Sequence, residues 1–118
     1  MIALSGSAQI AAGSSATIAL GPPPARGKVA RGVLSAGFTS GAGPFRCRIY
    51  VSRSSAAAFS DPGSRMLHFG SVLVPAGATL PLLLLEEEVG LGQYVLVFAE
   101  NLGTQGEYLS VVVFLEEG

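Results

Sequence analysis

The chain has 118 residues, 49% of them hydrophobic and only 13% charged, with 16 glycines, 7 prolines and a net charge of −1. That apolar fraction excludes disorder by composition, the glycines lack the period of three of collagen, and coiled-coil heptads are missing. One His and one Cys leave little for catalysis, and the length fits a single domain over residues 1–118.

Period-two alternation recurs along the chain, and no stretch sustains a helical period over about eleven residues. The expectation is eight strands. The first runs from Leu4 to Ile10 and the second from Ala16 to Leu20. Gly21-Pro22-Pro23-Pro24 then leaves the sheet, because proline donates no ladder hydrogen bond. The third strand, Val29 to Ser40, is long, and a bend is expected at Gly32 or Gly37. Gly41-Ala42-Gly43-Pro44 turns into the fourth strand, Phe45 to Arg53. Ser54 to Ser60 holds enough alanine for one helical turn, and Asp61-Pro62-Gly63-Ser64 reads as a turn. The fifth strand is Leu67 to Val74, the sixth Thr79 to Leu85, the seventh Gln93 to Glu100 and the eighth Glu107 to Leu115. Asn101-Leu102-Gly103 makes the last connection.

Two segments echo each other. Ile10-Ala11-Ala12-Gly13-Ser14-Ser15-Ala16-Thr17 and Val74-Pro75-Ala76-Gly77-Ala78-Thr79 both end an apolar strand, turn at Ala-Gly and restart with Ala-Thr. Each is either a tight hairpin or a corner from one sheet to another. Eight short strands with Gly/Pro turns imply an antiparallel β-sandwich, jelly-roll-like by strand count. An immunoglobulin-like sandwich is the alternative, although its paired cysteines and core Trp are absent.

The charges are sorted by sign. Residues 1–60 carry Arg26, Lys28, Arg31, Arg46, Arg48 and Arg53 and no acid. Residues 61–118 carry Arg65 against Asp61, Glu86, Glu87, Glu88, Glu100, Glu107, Glu116 and Glu117. The two halves can neutralise each other inside one fold or attract a neighbouring copy head to tail.

Several strands are apolar on both faces, where a free-standing sandwich wets one face of each. Tyr94 to Ala99, Tyr108 to Leu115 and Leu82 to Leu85 all read this way. A fold of this mass exposes roughly 6,000 Å², so its charges are sparse. Either the loops 54–66 and 21–28 cover the second faces, or neighbouring subunits do. The second reading predicts an interface through Arg46, Arg48, Tyr50, Arg53, Tyr94, Leu96, Phe98, Tyr108, Val112 and Phe114. The arginines would meet acidic neighbours there, since Arg suits interface ion pairs better than Lys.

Recognisable chemistry is scarce. No phosphate-loop, HExxH or CxxC pattern occurs, and no catalytic, metal-binding or cofactor-binding residue is predicted. Cys47 alternates in phase with Phe45, Ile49 and Val51, which makes it a buried apolar residue rather than a thiolate activated by Arg46 and Arg48. His68 is expected on a strand surface. Glu86-Glu87-Glu88 is expected as a solvated turn without calcium-ligand spacing. Arg46, Arg48, Arg53 and Tyr50 form a basic-aromatic cluster, but a pI near 5.7 does not describe a dedicated nucleic-acid binder. No basic leader with an apolar core opens the chain, and no apolar run reaches bilayer length. Neither a signal peptide nor a membrane partner is expected.

With its Ala/Gly/Ser-rich all-β texture, its Ala76-Gly77-Ala78-Thr79 corner and the strands Gly92-Gln93-Tyr94-Val95-Leu96-Val97 and Ser110-Val111-Val112-Val113, the chain resembles small structural proteins of bacteriophage virions. These are capsid decoration (cement) proteins and tail or head-fibre modules. The resemblance implies a non-enzymatic virion protein without a cofactor, made in the host cytoplasm. It also implies assembly with other virion proteins and with copies of itself, often as trimers. The alternative is a tail or fibre module that binds a cell-surface glycan or protein through loops at one end, with Tyr50, Tyr94 and Tyr108 as candidate contacts. A jelly-roll hydrolase or isomerase is the third and weakest reading, with one His to carry it.

Overall fold

A computed structural model describes residues 1–56 and 63–117. The chain is all-β, and two five-stranded antiparallel sheets form a sandwich. The strands are β1 (Ile2–Ile10), β2 (Ser15–Leu20), β3 (Gly27–Ala36), β4 (Phe45–Ser52), β5 (Arg65–Met66), β6 (Val72–Val74), β7 (Thr79–Leu83), β8 (Glu88–Val89), β9 (Tyr94–Asn101) and β10 (Glu107–Glu117). The first sheet has the order β1-β10-β3-β7, with β8 also on β3. The second has the order β2-β9-β4-β5, with β6 also on β4.

The chain folds as a hairpin nested inside a hairpin. Ile2 faces Leu115, Leu20 faces Val95, Ser35 faces Thr79 and Tyr50 faces Met66. The first half is therefore read down while the second half is read back. Rolling this double ribbon adds the pairs β10·β3 and β9·β4, and the chain alternates between the two sheets except at the middle of the ribbon, where β4, β5 and β6 share the second sheet and β7 and β8 the first. This is the jelly-roll connectivity, and the immunoglobulin-like alternative does not describe it.

Between the sheets lie the inward positions of every long strand. They include Leu4, Ile10, Leu34, Phe45, Ile49, Val97, Leu109 and Val113, each buried. Burial of such side chains is worth about 1.5–3 kcal/mol each. Cys47 belongs to this core, and burial pushes its thiol up to about 12. A thiolate nucleophile is excluded there at neutral pH.

Both echo segments are corners between sheets, not hairpins. Ala11–Ser14 carries the chain from β1 to β2, and Pro75–Ala78 carries it from β6 to β7. Each is closed by the same bond: Ser14 N–H donates to Ala11 C=O at 3.1 Å, and Ala78 N–H donates to Pro75 C=O at 3.1 Å. Each has glycine at the third position with positive φ, 67° at Gly13 and 77° at Gly77. That places both in the type II turn class.

The expected strands need three corrections. The irregularity in β3 is at neither Gly32 nor Gly37. The β10 register shifts between Phe114 and Leu115, opposite Arg31 and Val29, so Ala30 is the extra residue. β3 ends at Ala36 because Gly37 turns away toward β10, where a Cβ would overlap the Glu107 carboxyl. The fifth strand is interrupted: after β5, Leu67 drops into the core, its N–H donating to Ile49 C=O and its C=O accepting from Leu85 N–H. His68 sits in this break rather than on a strand, half-buried, with Nδ1 shielded and unpartnered. The sixth strand stops at Leu83, and β8 resumes the pairing with β3 at Gly27 and Lys28. The helical turn considered for 54–60 and the turn at 61–64 lie partly outside the described residues.

Candidate functional site: two sheet faces and two ends

The ten residues singled out from the sequence fall on two opposite outer faces and one end. Arg46, Arg48 and Tyr50 from β4 and Tyr94, Leu96 and Phe98 from β9 share the outer face of the second sheet. There Tyr50 is opposite Leu96 and Arg48 opposite Phe98. Tyr108, Val112 and Phe114 from β10 are on the outer face of the first sheet. Arg53 lies just beyond β4, at an end of the sandwich.

The outer face of the second sheet closes on itself. Tyr50 and Leu96 are buried within the single chain, and Tyr94 and Phe98 pack against them. Tyr50 and Leu96 are therefore not presented to a neighbour, which corrects their place in the expected interface. Arg46 is engaged with Glu100 through two bonds, Nε to Oε1 at 3.1 Å and a second guanidinium nitrogen to Oε2 at 3.2 Å. This hydrogen bonding from Arg46 holds the Glu100 carboxyl below the usual carboxylate range.

The outer face of the first sheet is open. Strand register lays it out in rows. Ala3, Phe114, Arg31 and Leu83 make one row; Ser5, Val112, Val33 and Pro81 the next; Ser7, Ser110, Ser35 and Thr79 the third. Across these three rows Arg31 is the single charged side chain, and its guanidinium lies 4.8 Å from the Phe114 ring centre, a cation–π contact. Leu83 is 89% exposed and Tyr108, beyond the third row, 56%. Small residues on β1 and a Ser/Thr row leave the surface flat. Three rows about 7 Å apart across four strands about 4.8 Å apart present on the order of 400 Å².

The two ends of the sandwich differ. At one, the connections 11–14, 37–44, 75–78 and 102–106 are knitted together. The Asn101 side chain donates to Ile10 C=O at 3.0 Å and Gln105 C=O at 2.8 Å, and accepts from Gly43 N–H at 3.0 Å and Gly103 N–H at 2.9 Å. Glu107 accepts from Thr39 N–H at 2.8 Å, from the Thr39 hydroxyl and from Tyr108 N–H at 2.7 Å. The Thr39 hydroxyl bond foremost, and then the two amides, hold its carboxyl below the usual range.

At the opposite end, Arg26, Arg53 and Arg65 surround a cleft of about 430 Å³ with Glu88 and Gln93. Arg26 Nε is 3.2 Å from Glu88 Oε1, and a terminal nitrogen of Arg65 is 3.2 Å from Glu87 Oε2. Two members of the Glu86–Glu88 run are thus ion-pair partners rather than purely solvated. Sequence reading missed this grouping because Arg26 lies in the β2–β3 connection while Arg53 follows β4 and Arg65 opens β5. Among the described residues, no group of three His, Cys, Asp or Glu side chains could hold a metal ion. No helix among the described residues is long and apolar enough to cross a membrane. No family model matches the chain, and no curated protein matches it.

Proposed function

We propose that the chain is a non-enzymatic structural subunit of a virion. In this reading it is a capsid decoration (cement) or minor capsid protein that stabilises a particle by subunit–subunit packing. The observation that carries the reading is the open outer face of the first sheet, with one charge, Arg31, across three rows of four strands. Soluble sandwiches normally wet such a face with charged side chains, and uncharged contiguous surface of this kind marks contact sites. A face on the order of 400 Å² supplies about half of the about 800 Å² per partner that a standard interface buries. The jelly roll is compatible with this role, but it also serves lectins and cupins, so fold alone carries no function.

The partners are copies of this chain and other virion proteins. The glycan-binding alternative drew on Tyr50, Tyr94 and Tyr108 as stacking surfaces. Tyr50 is buried, and Tyr94 and Tyr108 are on opposite sheets, which favours the packing role. Size-exclusion chromatography with light scattering tests it. The wild-type chain should exceed its monomer mass at high micromolar concentration. Val112→Asp, at a half-buried position in the middle row, should return it to monomer with an unchanged circular dichroism spectrum. A wild-type chain that is strictly monomeric sinks the proposal.

A further inference from the structure

We propose a second site, independent of the packing role: the arginine-lined end cleft binds a small ligand through a phosphate or sulfate group. The jelly-roll wrapping brings Arg26 from the β2–β3 connection, Arg53 from the end of β4 and Arg65 from β5 to one hollow. An adjoining hollow of about 550 Å³ shares Arg26, Arg53 and Gln93, so the groove continues over the β8–β9 connection. Volumes of this size suit small-molecule ligands.

Donors outnumber acceptors there. Each guanidinium offers five N–H groups. Arg26 is ion-paired with Glu88, while Arg65 gives one N–H to Glu87 and one to the Glu88 carbonyl at 2.9 Å. Arg53 is exposed and has no carboxylate partner among the described residues. Gln93 Oε1 accepts from Gly90 N–H at 2.7 Å, which leaves its NH₂ as a further donor. Lys28 adds a cation beside Arg26 and Glu88. Lys28 faces Glu116 across the β3–β10 pair, so at the cleft itself Arg26, Arg53 and Arg65 stand against Glu88, with Glu87 paired to Arg65. What these guanidiniums leave unspent is planar N–H forks. Such forks bind tetrahedral oxyanions in bidentate fashion. Arg53 is the anchor, because binding there breaks no ion pair among the described residues.

The test titrates the full chain with inorganic phosphate by calorimetry and by thermal denaturation, with ionic strength held constant by sodium chloride. Saturable binding should appear, together with a rise in Tm that matched chloride does not produce. Sulfate should compete with phosphate. Arg53→Gln should weaken binding about tenfold with an unchanged circular dichroism spectrum. Arg48→Gln, on the outer face of the second sheet, should leave binding unchanged. The proposal is overturned if phosphate stabilises no more than matched chloride. Equal weakening by Arg53→Gln and Arg48→Gln overturns it too, since that marks non-specific charge. Monomeric behaviour in solution would leave this site intact, so its failure and that of the packing role are distinguishable.

Discussion

At Asn101 one buried carboxamide satisfies four backbone groups from four points along the chain. Its hydrogen-bonding capacity is fully used. Asn101→Ala strands two N–H and two C=O groups in a place where water has little access. It should cost about 3 kcal/mol or more in urea denaturation. Glu107 acts through charge instead. Its folded-state pKa is depressed, chiefly by the Thr39 hydroxyl, so its stabilisation is fully present above the ordinary glutamate range near 4.3. It is lost as pH falls through the lower folded value. Glu107→Gln should therefore lower Tm at pH 7, and the gap from wild type should narrow as pH drops below about 4. A gap that stays constant through acid would contradict the assignment. Neither role is legible in sequence. Asn101 looks like a turn residue and Glu107 like a strand-edge acid, and their partners lie 58–91 and 68 positions away in the bonds that matter most.

The two corners show what local chemistry can determine at the scale of an element. An Ala-Gly pair between an apolar strand end and Ala-Thr announces a turn, and glycine at its third position follows from the positive φ. Whether that turn makes a hairpin or a sheet change was open, since the next strand's partner decides it. In the structure Gly13 N–H donates to Asn101 C=O, and Gly77 N–H to Gly37 C=O. Each corner is thus tied to a segment distant in sequence. The surroundings differ: a Cβ on Gly13 meets nothing within 4 Å, whereas one on Gly77 comes 3.0 Å from the Phe38 ring. Gly13→Ala should cost about 1–2 kcal/mol, from backbone strain alone. Gly77→Ala should cost at least as much, lowered only if exposed Phe38 moves aside. Parallel urea titrations of the two variants measure the difference.

Across the whole molecule, nested pairing explains the sorted charges. A chain that folds its first half back along its second puts early cations beside late acids. Arg26 meets Glu88, Arg46 meets Glu100, and the N-terminal amine lies 3.8 Å from Glu117. Exposed pairs of this kind contribute little each, but their common sign favours the nested register over others. The same topology orders folding by loop length. β4 with β5 and β6 closes the shortest loop, and β1 with β10 the longest, which carries the largest closure entropy. Val72→Ala in β6 should chiefly slow folding, while Leu4→Ala in β1 should chiefly speed unfolding. Stopped-flow measurements separate the two, and the reverse pattern would reject this order. By itself the sequence determined the all-β class, seven of the eight strands to within a few residues, the burial of Cys47 and the two turns, because alternation and turn chemistry are local. Tertiary structure alone decided the jelly-roll wrapping, which of two apolar faces closes on itself and which stays open, and the meeting of three arginines at one end. Those depend on pairings between residues far apart in the chain, for which no local preference exists.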